Sequence, residues 1–511
     1  MRNIKNLIQV AEGQVAKRPV LKAGNSSQKN KQAQLYDLIF NKESIDEDQI
    51  ARQLYGIKAD ASSHNYIKLK SRLKQKLLDS LFFLEPNNKD IKLNVNATKQ
   101  IYLGKVLYHL GVNDIAEKTI QKGMQAAIQI EHFDLAFGAA SQLLKIGFET
   151  NNMVLYHSAA KQIAIYENLT QFQCTSQRRF FETQLLIKSA ASTEKIIASI
   201  DEANQRIEKA INVKEFFSFS IFYYQNKHLK LKQLNDYPSI LNNSLEAIEV
   251  LNRFENTPDH EIFYFKVAYL EACKSLQAYK TGNEFLARIS TFENNQPFDE
   301  QKITLHQYAT LFNFGLQQYK DALHKIELFV NSKSFKILPF EEKAKWKLLK
   351  LNAEIALYLT TTDRDIRDEM FDSILRKQTK NVLEELDALN DDKHGQNVAL
   401  KTLEIMLRIL KDEIGTLMDK MDSFKTYKSR YLRLDDHKRA NYFFSLIINL
   451  EKNGFHINKT NGLEEDLHHS LKNTDVKMTS KLYEIIPFNH LWEFIVKILS
   501  DKKLLITKSA F

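Results

Sequence analysis

The chain has 511 residues and a net charge of +9, too long for one ordinary globular core at roughly 100–200 residues per domain. Its 14 glycines and 7 prolines compare with about 36 and 26 at average usage, too few for the closely spaced turns of hairpin and barrel folds. With 43% hydrophobic residues, two cysteines and only short apolar runs, the disordered, disulfide-stapled and membrane-spanning classes are excluded. An all-α chain in a reducing, cytoplasmic setting is expected.

Residues 1–28 read as a short amphipathic helix (Ile4, Leu7, Ile8, Val15) followed by a Pro-, Gly- and Ser-bearing linker, without the continuous apolar stretch of a secretory leader. Residues 29–96 form a first module, predicted as three helices. The first carries Leu35, Ile39 and Phe40. The second opens on a Ser44–Glu47 capping box and stops at Gly56. The third starts near Ser63, with Ile67, Leu69, Leu73, Leu77 and Leu81 expected inward. Lys68, Arg72 and Lys76 form an i, i+4 stripe on it, with Lys70 and Lys74 beside them and no acid between Asp60 and Asp79. Pro86 ends the segment; either the third helix runs to Leu84, or 81–84 and 91–95 pair as a small hairpin. Residues 1–96 hold 17 Lys/Arg against 10 Asp/Glu, so this end carries most of the positive charge and suits an anionic contact.

From residue 97 to 454 the chain reads as paired helices: 97–110 with 113–130, 132–149 with 152–167, 176–191 with 193–210, 213–232 with 237–253, 260–279 with 282–294, and 299–315 with 319–331. Further helices are expected over 340–360, 364–390, 397–412, 414–432 and 436–452. Residues 455–511 contain a polar loop and two short helices around Pro487, read as a C-terminal cap over the last apolar face.

One pair carries a family likeness. Leu103-Gly104-x2-Leu107, Gly111, Ala116, Ile120 and Gly123 resemble the tetratricopeptide repeat, although Gln100 stands at its early aromatic position and Ile128 at its late proline. In this reading Gly104 and Ala116 let the two helices approach, while Leu107 and Ile120 fill the space between pairs. Gly315, Tyr319 and Ala322 form a looser copy with a Gly-to-Ala spacing two residues longer. The resemblance implies an α-solenoid of stacked antiparallel helix pairs, tetratricopeptide-like, with a small basic helical module at its N-terminus. That module resembles a response-regulator-type winged helix through Leu54-Tyr55-Gly56, Asn65-Tyr66 and the run from Leu69 to Leu77, without the Gly-Tyr wing ending. This second likeness implies phosphate contacts from Lys68, Arg72 and Lys76.

Motifs for catalysis or cofactors are missing from the sequence: no phosphate loop, dinucleotide fingerprint, nucleophile elbow or HExxH. Cys174 and Cys273 lack metal spacing, and Glu465–His468 is a single Glu-x-x-His where di-iron bundles use two. Asp363, Asp365, Asp368 and Glu369 interleave with Arg364 and Arg367 and read as surface ion pairs. The basic and aromatic residues over 425–443 read as a helix surface with tyrosines packed inward. The expectation is a non-enzymatic scaffold or adaptor, without cofactor or membrane contact, holding a protein or peptide partner in its groove. The alternative is a DNA-binding transcriptional regulator using residues 29–96, with the repeats as sensor.

Overall fold

Twenty-one α-helices and the turns between them make up most of the described residues, and no strand occurs among them. The computed structural model describes residues 4–5, 7–8, 31–41, 46–81, 89–210, 213–255, 257–289, 299–363, 367, 369–370, 396–432, 437–457, 462–474 and 484–508. Contacts divide the chain into two units, residues 1–177 and 178–511.

The first unit opens with α1 (Lys31–Asn41), α2 (Glu47–Tyr55) and α3 (His64–Leu81). Their apolar faces close on Leu35, Ile39, Ile50, Leu54, Tyr66, Leu69, Leu73 and Leu77, with Ile4 and Ile8 joining the same core. Asp46, not Ser44, caps α2, its carboxylate accepting from the N–H groups of Asp48 and Gln49; Ser44 lies outside the described residues. Gly56 ends that helix at φ 96°. Ile67, expected inward, is exposed. Then follow α4 (Lys89–His109), α5 (Asn113–Gln129), α6 (Phe133–Glu149) and the start of α7 (Met153–Lys188). Residues 91–95 are helical, so the hairpin reading fails, and the helix expected over 97–110 begins at Lys89.

The helices expected over 152–167 and 176–191 are one helix of 36 residues, α7. The polar run between them holds neither Gly nor Pro to stop it. Leu155 and Ala159 pack near its start, and Phe180 and Leu186 near its end. Packing at both ends overrides the weak propensity between.

The second unit continues with α8 (Thr193–Ala210), α9 (Phe217–Leu234), α10 (Tyr237–Leu251), α11 (Asp259–Ser275), α12 (Tyr279–Ile289), α13 (Glu300–Gly315) and α14 (Tyr319–Val330). After the single-turn α15 (Lys333–Lys336) come α16 (Phe340–Thr360), α17 (Gln396–Leu410), α18 (Ile414–Tyr431), α19 (Lys438–Lys452), α20 (Gly462–Asn473) and α21 (Phe488–Lys508). Most of the helix expected over 364–390 lies outside the described residues. Within each unit, helices pack mainly on their neighbours in sequence, the stacked-pair architecture of an α-solenoid. Helix α21 packs beyond its neighbours in sequence. Phe494 meets Tyr319, His490 bonds Gln317, and Lys497 donates to the carbonyl of Leu359.

One turn geometry recurs through both units. After α4 the N–H of Gly111 returns to Tyr108 and that of Val112 to Leu107. The same pair of bonds, to the third and fifth preceding carbonyls, closes the turns at Glu131, Asn151, Ala190, Asn235, Gln277, Gln317, Asp412 and Gly454. This is the Schellman closure, with the hinge residue left-handed each time. In the looser repeat copy the left-handed residue is therefore Gln317; Gly315 is still the last helical residue of α13.

Close approach between successive helices has a recurring chemistry as well. A methyl group on Gly104 would strike Ile120, and one on Gly123 would lie 2.7 Å from Cγ1 of Ile101. In the second unit, a methyl on Gly282 would lie 2.6 Å from Cζ of Phe312, and one on Gly315 would strike the ring of Tyr279. Both contacts use one motif on the two facing helices: a large residue, two others, then a glycine that receives the partner's large residue. Ile101/Gly104 faces Ile120/Gly123, and Tyr279/Gly282 faces Phe312/Gly315. Ile120 thus fills its own pair, not the space between pairs.

Candidate functional site

The basic stripe sits on a helix whose start is firmly built. The Asp60 carboxylate accepts from the N–H and hydroxyl of Ser62 and from the Ser63 hydroxyl at 2.8–3.0 Å. Those bonds hold its carboxyl below the usual range. Asp48 accepts from the N–H of Ala61 at 2.8 Å, tying the turn back to α2. Along α3, Tyr66, Leu69, Leu73 and Leu77 point into the core. Lys68, Arg72, Lys74 and Lys76 are exposed, and none has an ion-pair partner among the described residues. Lys70 departs from the stripe. It is half-buried and bonds Glu47 at 2.8 Å. Burial opposes ionisation of Glu47, but hydrogen bonds and positive charge around it, the Lys70 ammonium among them, together outweigh burial and keep that carboxyl below its ordinary value. Lys70 therefore ties α3 to α2 and is not part of an anion-binding face.

The repeat-packing positions divide. Gly104, Ala116, Ile120 and Gly123 are buried in the α4–α5 contact, and Leu107 packs against the same core. Tyr319 and Ala322 are buried in the second unit. Gly111 is an exposed hinge. Leu103 contradicts its assignment: it is 47% exposed, on the side of α4 away from Gly104. It belongs to an apolar stripe with Tyr102, Val106 (37% exposed) and Leu110 (71% exposed), which the sequence reading missed. The available signal was a second apolar series at i, i+3 and i+7 in a stretch, Ile91–Val112, that holds no Asp or Glu.

The cluster over 425–443 divides: Arg430 and Lys438 are exposed, while Tyr427 and Arg439 are buried. Tyr427 packs on Phe444, and Lys425 bonds Glu451 at 2.9 Å. Arg439 is buried, pairing with Glu484 at 2.7 Å and donating to the carbonyls of Leu471 and Thr474. Arg433 lies outside the described residues. His469 accepts or donates toward Asn473, and among the described residues no group of His, Cys, Asp and Glu is placed to hold a metal ion. Arg367 lies over the Tyr358 ring, 5.0 Å from its centroid; Arg364, Asp365 and Asp368 fall outside the described residues. No described helix is long and apolar enough to cross a membrane.

No protein-family model matches the chain, and no curated protein sequence matches it.

Proposed function

We propose that the chain is a non-enzymatic helical-repeat adaptor that holds a protein or peptide partner on its stacked helices. The reading is supported above all by the stacking of neighbours. Side chains one repeat apart meet repeatedly: Asn94 with His132, Gln225 with Glu261, and Tyr308 with Glu271, at separations of 38, 36 and 37 residues. Such a stack is stabilised locally and leaves long helix faces open for binding. Photo-crosslinking residues placed singly at exposed Val106, Ile337 and Phe340 test it in cells. A discrete protein adduct from at least one position is expected; nucleic-acid adducts alone, or none at any position, contradict it.

A second reading, a DNA-binding regulator, is favoured by one observation: Lys68, Arg72, Lys74 and Lys76 stand exposed on a helix whose opposite face belongs to its own core. Those side chains would supply salt-sensitive phosphate contacts. Its test is binding of mixed duplex DNA at two salt concentrations by the full chain and by a Lys68→Glu/Arg72→Glu/Lys76→Glu variant. Binding that weakens with salt and disappears in the variant supports it; equal binding by both proteins removes it.

A further inference from the structure

Two turns on one edge of the first unit leave apolar side chains uncovered. Helices α4 and α6 run side by side: Asn94 meets His132 at their starts, and the Tyr108 hydroxyl donates to Glu149 at their ends. The turn after α4 and the turn after α6 are therefore neighbours. Leu110, Val112 and Ile115 flank the first, 39–71% exposed, and Phe148, Met153 and Val154 flank the second, 61–82% exposed. The backbone fixes these positions. Both turns are closed by Schellman bonds, with Gly111 and Asn151 left-handed. The Asn152 side chain accepts from the N–H of Leu155 at 3.1 Å, and a methyl on Gly147 would lie 2.8 Å from the backbone nitrogen of Tyr156, so α6 and α7 start close together. Ile146 and Leu155 pack into the core, which leaves Phe148 and Val154 facing out. Six large apolar side chains so exposed present on the order of 600 Å², the upper end of what a monomer leaves open and near the about 800 Å² per partner of a stable interface.

Charge selects the occupant. Residues 105–118 and 145–157 carry Lys105, Lys118 and Lys145 against Asp114, Glu117 and Glu149, a balance of zero. A strongly acidic or basic partner gains nothing from such an edge, and a second copy of the chain is not repelled by it. The signs are also divided between the turns. Asp114, beside Ile115, is exposed at the first turn; Lys145, one helical turn before Phe148, is exposed at the second. Neither has an ion-pair partner among the described residues. A two-fold axis running between the turns lays each row on the other row of a second copy, so apolar residues meet apolar residues and Asp114 meets Lys145 on both sides of the axis. We infer that this edge is the contact through which two copies of the chain pair. The inference does not depend on the adaptor reading, and either can fail alone.

Sedimentation velocity of the full chain over a range of concentrations tests it. A monomer–dimer equilibrium is expected. Phe148→Ser/Val154→Ser should weaken pairing about tenfold or more, as loss of apolar anchors does. Both side chains are exposed, so the fold is retained, which circular dichroism checks. Asp114→Lys and Lys145→Asp should each weaken pairing about tenfold, because each sets like charges together. The double reversal Asp114→Lys/Lys145→Asp should restore it, and so should mixing the two single variants. Nonspecific apolar adhesion gives neither restoration. Three results overturn the inference: a chain that stays monomeric at about 100 μM, pairing unchanged by Phe148→Ser/Val154→Ser, or no restoration by the double reversal. A monomer that crosslinks another protein from Val154, or sediments with phosphatidylserine vesicles unless Val154 is replaced by Ser, also overturns it and gives the edge to that partner.

Discussion

Replacing Gly282 by Ala should destabilise the second unit, and the same replacement should stabilise it once Phe312 is shortened. The added methyl would lie 2.6 Å from Phe312 Cζ, while carbon atoms rest at about 3.5–4.0 Å, so the ring must yield by about 1 Å. It has little room: Phe312 is fully buried, with its centroid 6.3 Å from Tyr279 and 6.0 Å from Tyr308. Overpacking of this kind costs about 1–3 kcal/mol, and Ala recovers up to about 1 kcal/mol over Gly in a helix. The net expectation is a loss of about 1 kcal/mol. Phe312→Ala removes the Cδ2, Cε2 and Cζ atoms that the methyl would meet, leaving only the helix preference, so Gly282→Ala should then gain up to about 1 kcal/mol. The coupling in a double-mutant cycle is about 2 kcal/mol. Urea unfolding followed by tryptophan fluorescence reads it, because the chain's two tryptophans, Trp346 and Trp492, both lie in residues 178–511. A stabilising Gly282→Ala in the wild type, or effects additive within about 0.5 kcal/mol, would refute the reciprocal-glycine account.

Glu131 and Gln277 hold left-handed hinges at φ 56° and 55°, a conformation costing about 1–2 kcal/mol for a residue with a Cβ. Gly at either position gives back part of that as backbone entropy, so each substitution should stabilise its unit by about 0.5–1 kcal/mol in denaturant melts; a loss would contradict the turn assignment. Burial, helped by the charge of Lys232, pushes His228 down to about 4. Its folded pKa lies below the unfolded value near 6.5, so protons favour the unfolded chain as pH falls from about 6.5 to 4. Between pH 7 and pH 5 this histidine should cost about 2 kcal/mol, and His228→Leu should flatten that share of the urea-midpoint profile. An unchanged slope would refute it. Cys174 is exposed, whereas Cys273 is buried, its thiol pushed up to about 12. Thiol reagents at pH 8 should therefore label Cys174 promptly and Cys273 only on unfolding, as mass spectrometry of the labelled peptides reports; equal labelling would contradict the packing around α11.

The architecture was legible where glycine did two jobs at once. Between α4 and α5, Gly111 supplies the left-handed hinge and Gly104 and Gly123 the close contacts, so composition and spacing pointed to the same pair. Elsewhere those jobs are separated. Glu131, Asn151, Gln277, Gln317 and Asp412 hinge their turns with no glycine to mark them. The turns repeat in hydrogen bonding, and the sequence does not show it. Gly315 packs against Tyr279, and the hinge after it is Gln317. The long α7 was hidden because its middle carries neither a stop signal nor an apolar period. For the candidate surfaces, the stripe on α3 was legible because apolar and basic residues alternate at helical spacing. Lys70 was misread because its partner, Glu47, comes from a different helix. Leu103 was misread because two apolar series run along α4, one packed and one exposed, and a repeat pattern does not say which face a neighbour covers.

The most direct test of the adaptor account is a hydroxyl-radical footprint of the full chain bound to the protein its crosslinks identify, read by mass spectrometry. The account predicts protection of exposed apolar residues on at least one helix face, around Val106 on α4 or around Ile337 and Phe340 at the start of α16. A footprint identical to that of the free chain would contradict it.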